Sequence, residues 1–174
     1  MKKHILYLLA VILFCTTALS CASEEDTAAD HATELSIGDR LPDFTVLTNH
    51  GTTVSNQSLT GQVSLIVFFH TGCKDCQTEL PVIQQFYDSH PETPLICISR
   101  AESEASIAKF WKAHQLTLPY SAQENRDVFE RFAYHTIPRI YVADKEGIIR
   151  SIFTDNPLAK YEDIASAVQE AHTP

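Results

Sequence analysis

Apolar residues in this chain fall into short runs whose internal spacing alternates between strand-like and helix-like. Leu65 to Phe69 is unbroken, β-branched and aromatic, which predicts a strand over Ser64–Phe69 buried on both faces. Leu80, Val82, Ile83 and Phe86 then recur at helical spacing, predicting a helix from about Cys76 to Ser89. Leu95 to Ser99 is a second buried strand. Ser103 caps a helix carrying Ile107, Phe110 and Trp111 that ends near His114. Leu118 to Ser121 reads as a short irregular strand or loop, and Asp127 to Ala133 as a short helix. Upstream, Thr45 to Leu47 and Thr52 to Val54 flank the turn Asn49-His50-Gly51. Downstream, Ile140 to Ala143 and Ile148 to Phe153 flank Asp144-Lys145-Glu146-Gly147 as a hairpin. Asn156 caps and Pro157 starts a last helix whose inner face is Leu158, Tyr161, Ile164, Ala165 and Val168. No repeat is apparent. The order predicts an α/β fold with a mixed central sheet, helices on both faces and an N-terminal β-hairpin extension.

The first 35 residues stand outside this pattern. Lys2 and Lys3 followed by apolar Ile5 to Phe14 read as a signal peptide over residues 1–20, too short to span a membrane. Ala18-Leu19-Ser20-Cys21 resembles a bacterial lipobox, with Ala18 where leucine is usual, and implies lipid attachment at Cys21. The alternative is an ordinary secretory signal cleaved near Ser20 or Ala22. Residues 21–35 are rich in Ala, Ser, Thr and acid and read as a flexible acidic linker. Within it, Ala22-Ser23-Glu24-Glu25-Asp26 resembles an acidic tag for surface export. The domain proper is then 36–174, of ordinary size for one core. A net charge of −9 argues against nucleic acid and against an anionic membrane as an electrostatic partner.

Chemistry is concentrated where the first long strand meets its helix. Cys73 and Cys76 lie three apart at a predicted helix N-terminus, where free backbone N–H groups and the helix dipole favour a thiolate. That is the requirement for thiol–disulfide exchange. A purely structural disulfide would close so small a ring that it would stabilise the fold little.

These residues, with Thr136-Ile137-Pro138 ahead of a strand, resemble the thioredoxin fold and, more narrowly, its membrane-tethered TlpA/ResA-like (redoxin/AhpC-TSA-like) branch. The opening Gly38, Pro42 and Phe44 and the run Cys76-Gln77-Thr78-Glu79-Leu80-Pro81 match that branch, across about residues 36–172. The resemblance implies that Cys73 attacks a substrate disulfide and that Cys76 resolves the mixed disulfide. It implies a cis bond before Pro138, with Thr136 and Ile137 offering a substrate-binding edge. Glu79 matches an acid under the active site that accepts a proton from Cys76 or tunes both thiols, although as a bare residue it reads better as an exposed first-turn acid favoured by the dipole. The only redox group is the Cys73–Cys76 disulfide itself, with no other cofactor. The implied partners are an exported thiol or disulfide protein and a membrane electron donor, in the periplasm or on the outer cell surface, with the balance tilted to reduction.

The departures are specific. Gly72 stands where the family has tryptophan, Asp75 where proline is frequent, and Val67 where thioredoxins bury an acid. Cys97, in an apolar run, reads as core filler. His70, Cys73, Cys76 and His135 offer an alternative two-sulfur, two-nitrogen metal site of the copper-chaperone kind. A peroxiredoxin-like peroxidase is the other competitor, since it shares the Gly-x-x-x-Pro-x-Phe opening. It needs threonine three residues before the reactive cysteine, and those positions are His70 and Cys73.

Overall fold

Burial on both faces is what makes the central strand, and it is complete: no residue of β3 (Ser64–Phe69) is solvent-accessible beyond 1%. The computed structural model describes residues 34–173. The expected signal peptide, Cys21 and the acidic tag lie outside the described residues, as does all of the expected linker except Glu34 and Leu35. Those two are docked: Leu35 N–H donates to the Phe132 carbonyl at 3.0 Å, and Glu34 pairs with Arg139.

A small antiparallel hairpin, β1 (Thr45–Leu47) and β2 (Thr53–Ser55), comes first, its second strand one residue later than the pattern suggests. Ser55 caps a four-residue helix, α1 (Asn56–Leu59), too short to show a helical apolar period. Then follow β3, α2 (Lys74–Ser89), β4 (Leu95–Ser99), α3 (Glu104–His114), β5 (Tyr120–Ser121), β6 (Arg139–Ala143), β7 (Ile149–Phe153) and α4 (Tyr161–Ala171). The five-stranded sheet has the order β5-β4-β3-β6-β7. β3, β4 and β5 are parallel, while β6 runs antiparallel to β3 and β7 antiparallel to β6. The sheet is therefore mixed, as the element order implied.

β3, β4 and β5 are parallel neighbours stepping in one direction, and the right-handed sense that such crossovers follow puts α2 and α3 on one face. On that face Phe69 meets Trp111 of α3 at 4.9 Å between ring centroids. On the other, Phe68 packs against Phe129, Phe132 and Tyr141 at 5.3, 4.8 and 6.2 Å. Only one 3-10 turn, Phe129–Arg131, forms within the stretch expected as a helix over Asp127–Ala133. Its buried phenylalanines fill the second face without a longer element. The hairpin is tied to the short edge strand β5, with Ser121 Oγ donating to the Leu47 carbonyl at 2.7 Å.

Two helix starts differ from expectation. α2 begins at Lys74, because apolar spacing reports only the buried face and its first turn, Lys74 and Asp75, is exposed. α4 begins at Tyr161, not at Pro157. The Ala159 N–H is committed to the Glu79 carboxylate, and Asp163 caps the Lys160 N–H at 3.0 Å instead. Residues 156–160 therefore pass beneath α2 as irregular chain, including a cis Asn156–Pro157 bond.

Candidate active site

Cys73 is itself the N-cap of α2. Its backbone is extended, its N–H donates to the His70 carbonyl at 3.0 Å, and its sulfur accepts the Cys76 N–H at 3.4 Å. A cap side chain normally supplies an oxygen to the first-turn amides. Here a sulfur takes that place, so the group expected to react is seated on the positive end of the helix. The same Sγ lies 3.6 Å from the Ile137 carbonyl, to which the thiol donates. Ile137–Pro138 is cis, as the resemblance implied. Both residues are buried, and Thr136 beside them is half-buried. Cys73, Ile137 and Pro138 are thus brought together from 64 residues apart.

Cys76 is fully buried on the inner face of α2 and, like Cys73, is a free thiol. Burial pushes its pKa up, and the bond with Cys73 and the nearby charges of Cys73 and Glu79 add to the rise. The His70 backbone N–H opposes it. Half-exposed Cys73 and buried Cys76 are unequal thiols, and the inequality comes from one helical turn of depth.

Glu79 is three residues beyond Cys76, on the same helix face. It is 1% exposed, so the exposed first-turn reading is set aside. Oε1 accepts the Ala159 N–H at 2.8 Å, whereas Oε2 is buried with no hydrogen-bond partner. Desolvation raises its pKa from 4.5 to about 7, helped by the charge of Asp75 and opposed by the Ala159 bond. Ala159 carries no sequence signal for this contact, because only its backbone takes part.

The turn before Cys73 is held from several sides. Gly72 N–H donates to His70 Nδ1 at 2.9 Å, and Gln77 Nε2 donates to the Thr71 carbonyl at 2.7 Å. Glu102, at the β4–α3 connection, accepts both the Thr71 N–H at 2.8 Å and the Thr71 hydroxyl. Glu102 went unrecognised in the sequence, where it is one acid among several in a polar connector. The metal alternative is not assembled: among the described residues no three His, Cys, Asp or Glu side chains converge as ligands. Cys97 is buried in β4 as the apolar run suggested.

Residues 37–152 match the AhpC/TSA family. The chain is 23% identical over 148 residues to thiol-disulfide oxidoreductase ResA of Bacillus cereus, covering 84% of this chain and 85% of that protein. It is 30% identical over 94 residues to sporulation thiol-disulfide oxidoreductase A of Bacillus subtilis, covering 51% of this chain and 57% of that protein. Among solved structures, the thioredoxin domain of a thiol-disulfide oxidoreductase from Bacteroides vulgatus superposes with a TM-score of 0.68 at 21% identity. That match covers 79% of this chain and 98% of the other. The fold is thioredoxin-like.

Proposed function

The chain belongs to the AhpC/TSA family, and we propose that this thiol–disulfide oxidoreductase carries out its exchange through Cys73 and Cys76 on exported proteins, in the direction of reduction. The observation that carries the reading is the position of Cys73, a half-exposed sulfur on the α2 N-terminus 3.6 Å from the Ile137 carbonyl. Cys73 thiolate attacks one sulfur of a substrate disulfide, forming a Cys73–substrate disulfide and releasing the other substrate sulfur as a thiolate. The Thr136–Pro138 loop then offers the bound chain an edge to pair with. Glu79 takes the Cys76 proton, the Cys76 thiolate attacks Cys73 Sγ, and the second substrate sulfur leaves. Two electrons pass to the substrate, and the enzyme is left with a Cys73–Cys76 disulfide. No other cofactor takes part.

An acid with a pKa near 7 suits that proton transfer, because general bases work best when poised near the working pH. Regeneration requires a dithiol donor, which we assign to the membrane. Residues 1–20 act as export signal, and Cys21 as lipid anchor at the periplasmic or outer cell surface. No helix among the described residues is long and apolar enough to cross a membrane.

Cys76→Ser tests the mechanism. It removes the resolving thiol, so mixed disulfides through Cys73 accumulate on non-reducing gels and the trapped partner names the substrate. Absence of adducts, together with insulin left unreduced by the wild type, would remove the reading. Peroxide consumption under saturating reductant would favour the peroxidase instead. A low reduction potential, close to that of the local donor and below that of the exported disulfides, is expected, since about 30 mV corresponds to ~1.4 kcal/mol of driving force. An enzyme poised high enough to oxidise exported dithiols would reverse the assigned direction.

A further inference from the structure

The connector between β4 and α3 touches both loops of the site, and its Glu102 has no role in the exchange chemistry just described. Its side chain is only 7% exposed. A carboxylate so deeply placed needs compensation, usually from a cation. Glu102 instead spends both oxygens on one residue. Oε2 accepts the Thr71 N–H at 2.8 Å, and Oε1 accepts the Thr71 hydroxyl. The nearest ring nitrogen, His70 Nδ1, is 3.8 Å from Oε2 and is already the acceptor for Gly72 N–H.

Thr71 is two residues ahead of Cys73. With its carbonyl held by Gln77, every polar group of Thr71 is committed. The clamp is itself anchored. Glu102 N–H donates to the Gln123 carbonyl at 2.7 Å, and Gln123 N–H donates to Ser99 Oγ at 2.8 Å. From the same connector, Arg100 N–H donates to the Phe69 carbonyl at 2.8 Å, and its guanidinium donates to the His135 carbonyl at 3.3 Å. One short segment thus grips the turn that leads into Cys73 and the loop that leads into Pro138.

We propose that Glu102 is a positioning residue for the exchange, fixing the Thr71–Gly72 turn so that Cys73 Sγ stays on the α2 cap and within reach of the Ile137 edge, with Arg100 holding the facing loop. This rests on the functional reading above. Gly72 makes such a brace necessary. A residue without a side chain sits next to the nucleophile, with the His70 ring where a Cβ would point, so the turn is shaped by hydrogen bonds to its neighbours and not by a side chain of its own. Exchange needs three sulfurs in line, and an error of about 1 Å in one of them costs up to ~100-fold.

The experiment compares wild type, Glu102→Ala, Glu102→Gln and Thr71→Val in insulin reduction and in redox equilibrium with glutathione, with unfolding followed by circular dichroism. Glu102→Ala is expected to slow exchange by at least about tenfold and to move the equilibrium constant with glutathione by about fivefold. Glu102→Gln, which keeps an oxygen for the Thr71 N–H, is expected to recover to within about threefold of wild type. Thr71→Val loses one of the two bonds and is expected to fall between them, which decides the matter if Glu102→Ala does not fold. An active wild type with Glu102→Ala, or a folded Thr71→Val, unchanged in both rate and equilibrium overturns this proposal alone. A wild type that exchanges nothing overturns the functional reading and this proposal with it.

Discussion

Glu79 on α2 and Asp144 at the head of the β6–β7 turn are both buried acids, and their surroundings drive them apart. Asp144 suffers desolvation too, but its Oδ1 accepts the Ile148 and Glu146 amides at 2.8 and 3.0 Å, and Oδ2 pairs with Arg150 at 2.6 Å. Those bonds outweigh burial and hold its pKa below the usual value. Glu79 has one amide and one orphan oxygen, so burial wins and its pKa rises to about 7. Burial alone therefore does not decide what a buried acid is for. The number of donors aimed at it does. Asp144 is a staple for a turn, and Glu79 is left able to exchange a proton.

Substitution at Glu79 should separate the two most widely. Glu79→Gln keeps an acceptor for the Ala159 amide but cannot take the Cys76 proton. Exchange is expected to fall by about 100-fold, the usual scale of a lost general base, and the limb of the pH–rate profile near pH 7 should vanish. An unaltered profile would deny Glu79 its role. The same variant should be more stable than wild type at pH 8. Glu79 has its folded pKa raised above the unfolded 4.5, so the stability it contributes is whole below pH 4.5 and declines as pH rises through about 7. The interval corresponds to roughly 3 kcal/mol, and urea titrations of both proteins at pH 4 and pH 8 would measure it.

Asp144→Ala should do the reverse, lowering stability by about 2–3 kcal/mol through lost charge-assisted bonds, with insulin reduction unchanged. Its folded pKa is depressed, so its contribution is present above the unfolded value and is lost as pH falls through the folded one. A drop in exchange rate in this variant would mean that the far turn is coupled to the site. The smallest effect belongs to Arg150→Ala. Its side chain is half-exposed, so removal should cost no more than about 1 kcal/mol and less in high salt, read from the denaturation midpoint.

Legibility in the sequence tracked how local each determinant was. β3, β4, α3 and the last hairpin were readable because their apolar spacing and capping residues lie within the elements themselves. α2 was placed two residues late because its exposed first turn has no apolar mark. The last helix was misplaced at Pro157, since what ends the irregular segment is the bond from Ala159 to Glu79, 80 residues away. For the site, the Cys73–Cys76 spacing was plain. The Glu102 clamp on Thr71 was not, because a carboxylate in a polar connector looks solvated until the fold closes over it.

By itself, the order of residues determined the alternation of strands and helices and the delivery of two cysteines to a helix start, because hydrophobic period and helix-end chemistry act over a few neighbours. Only the tertiary structure decided which thiol is exposed, that Ile137 faces Cys73, and which buried acid is left with an unpaired oxygen. Those outcomes depend on desolvation and on donors contributed from distant parts of the chain, and such quantities exist only once the sheet has brought its ends together.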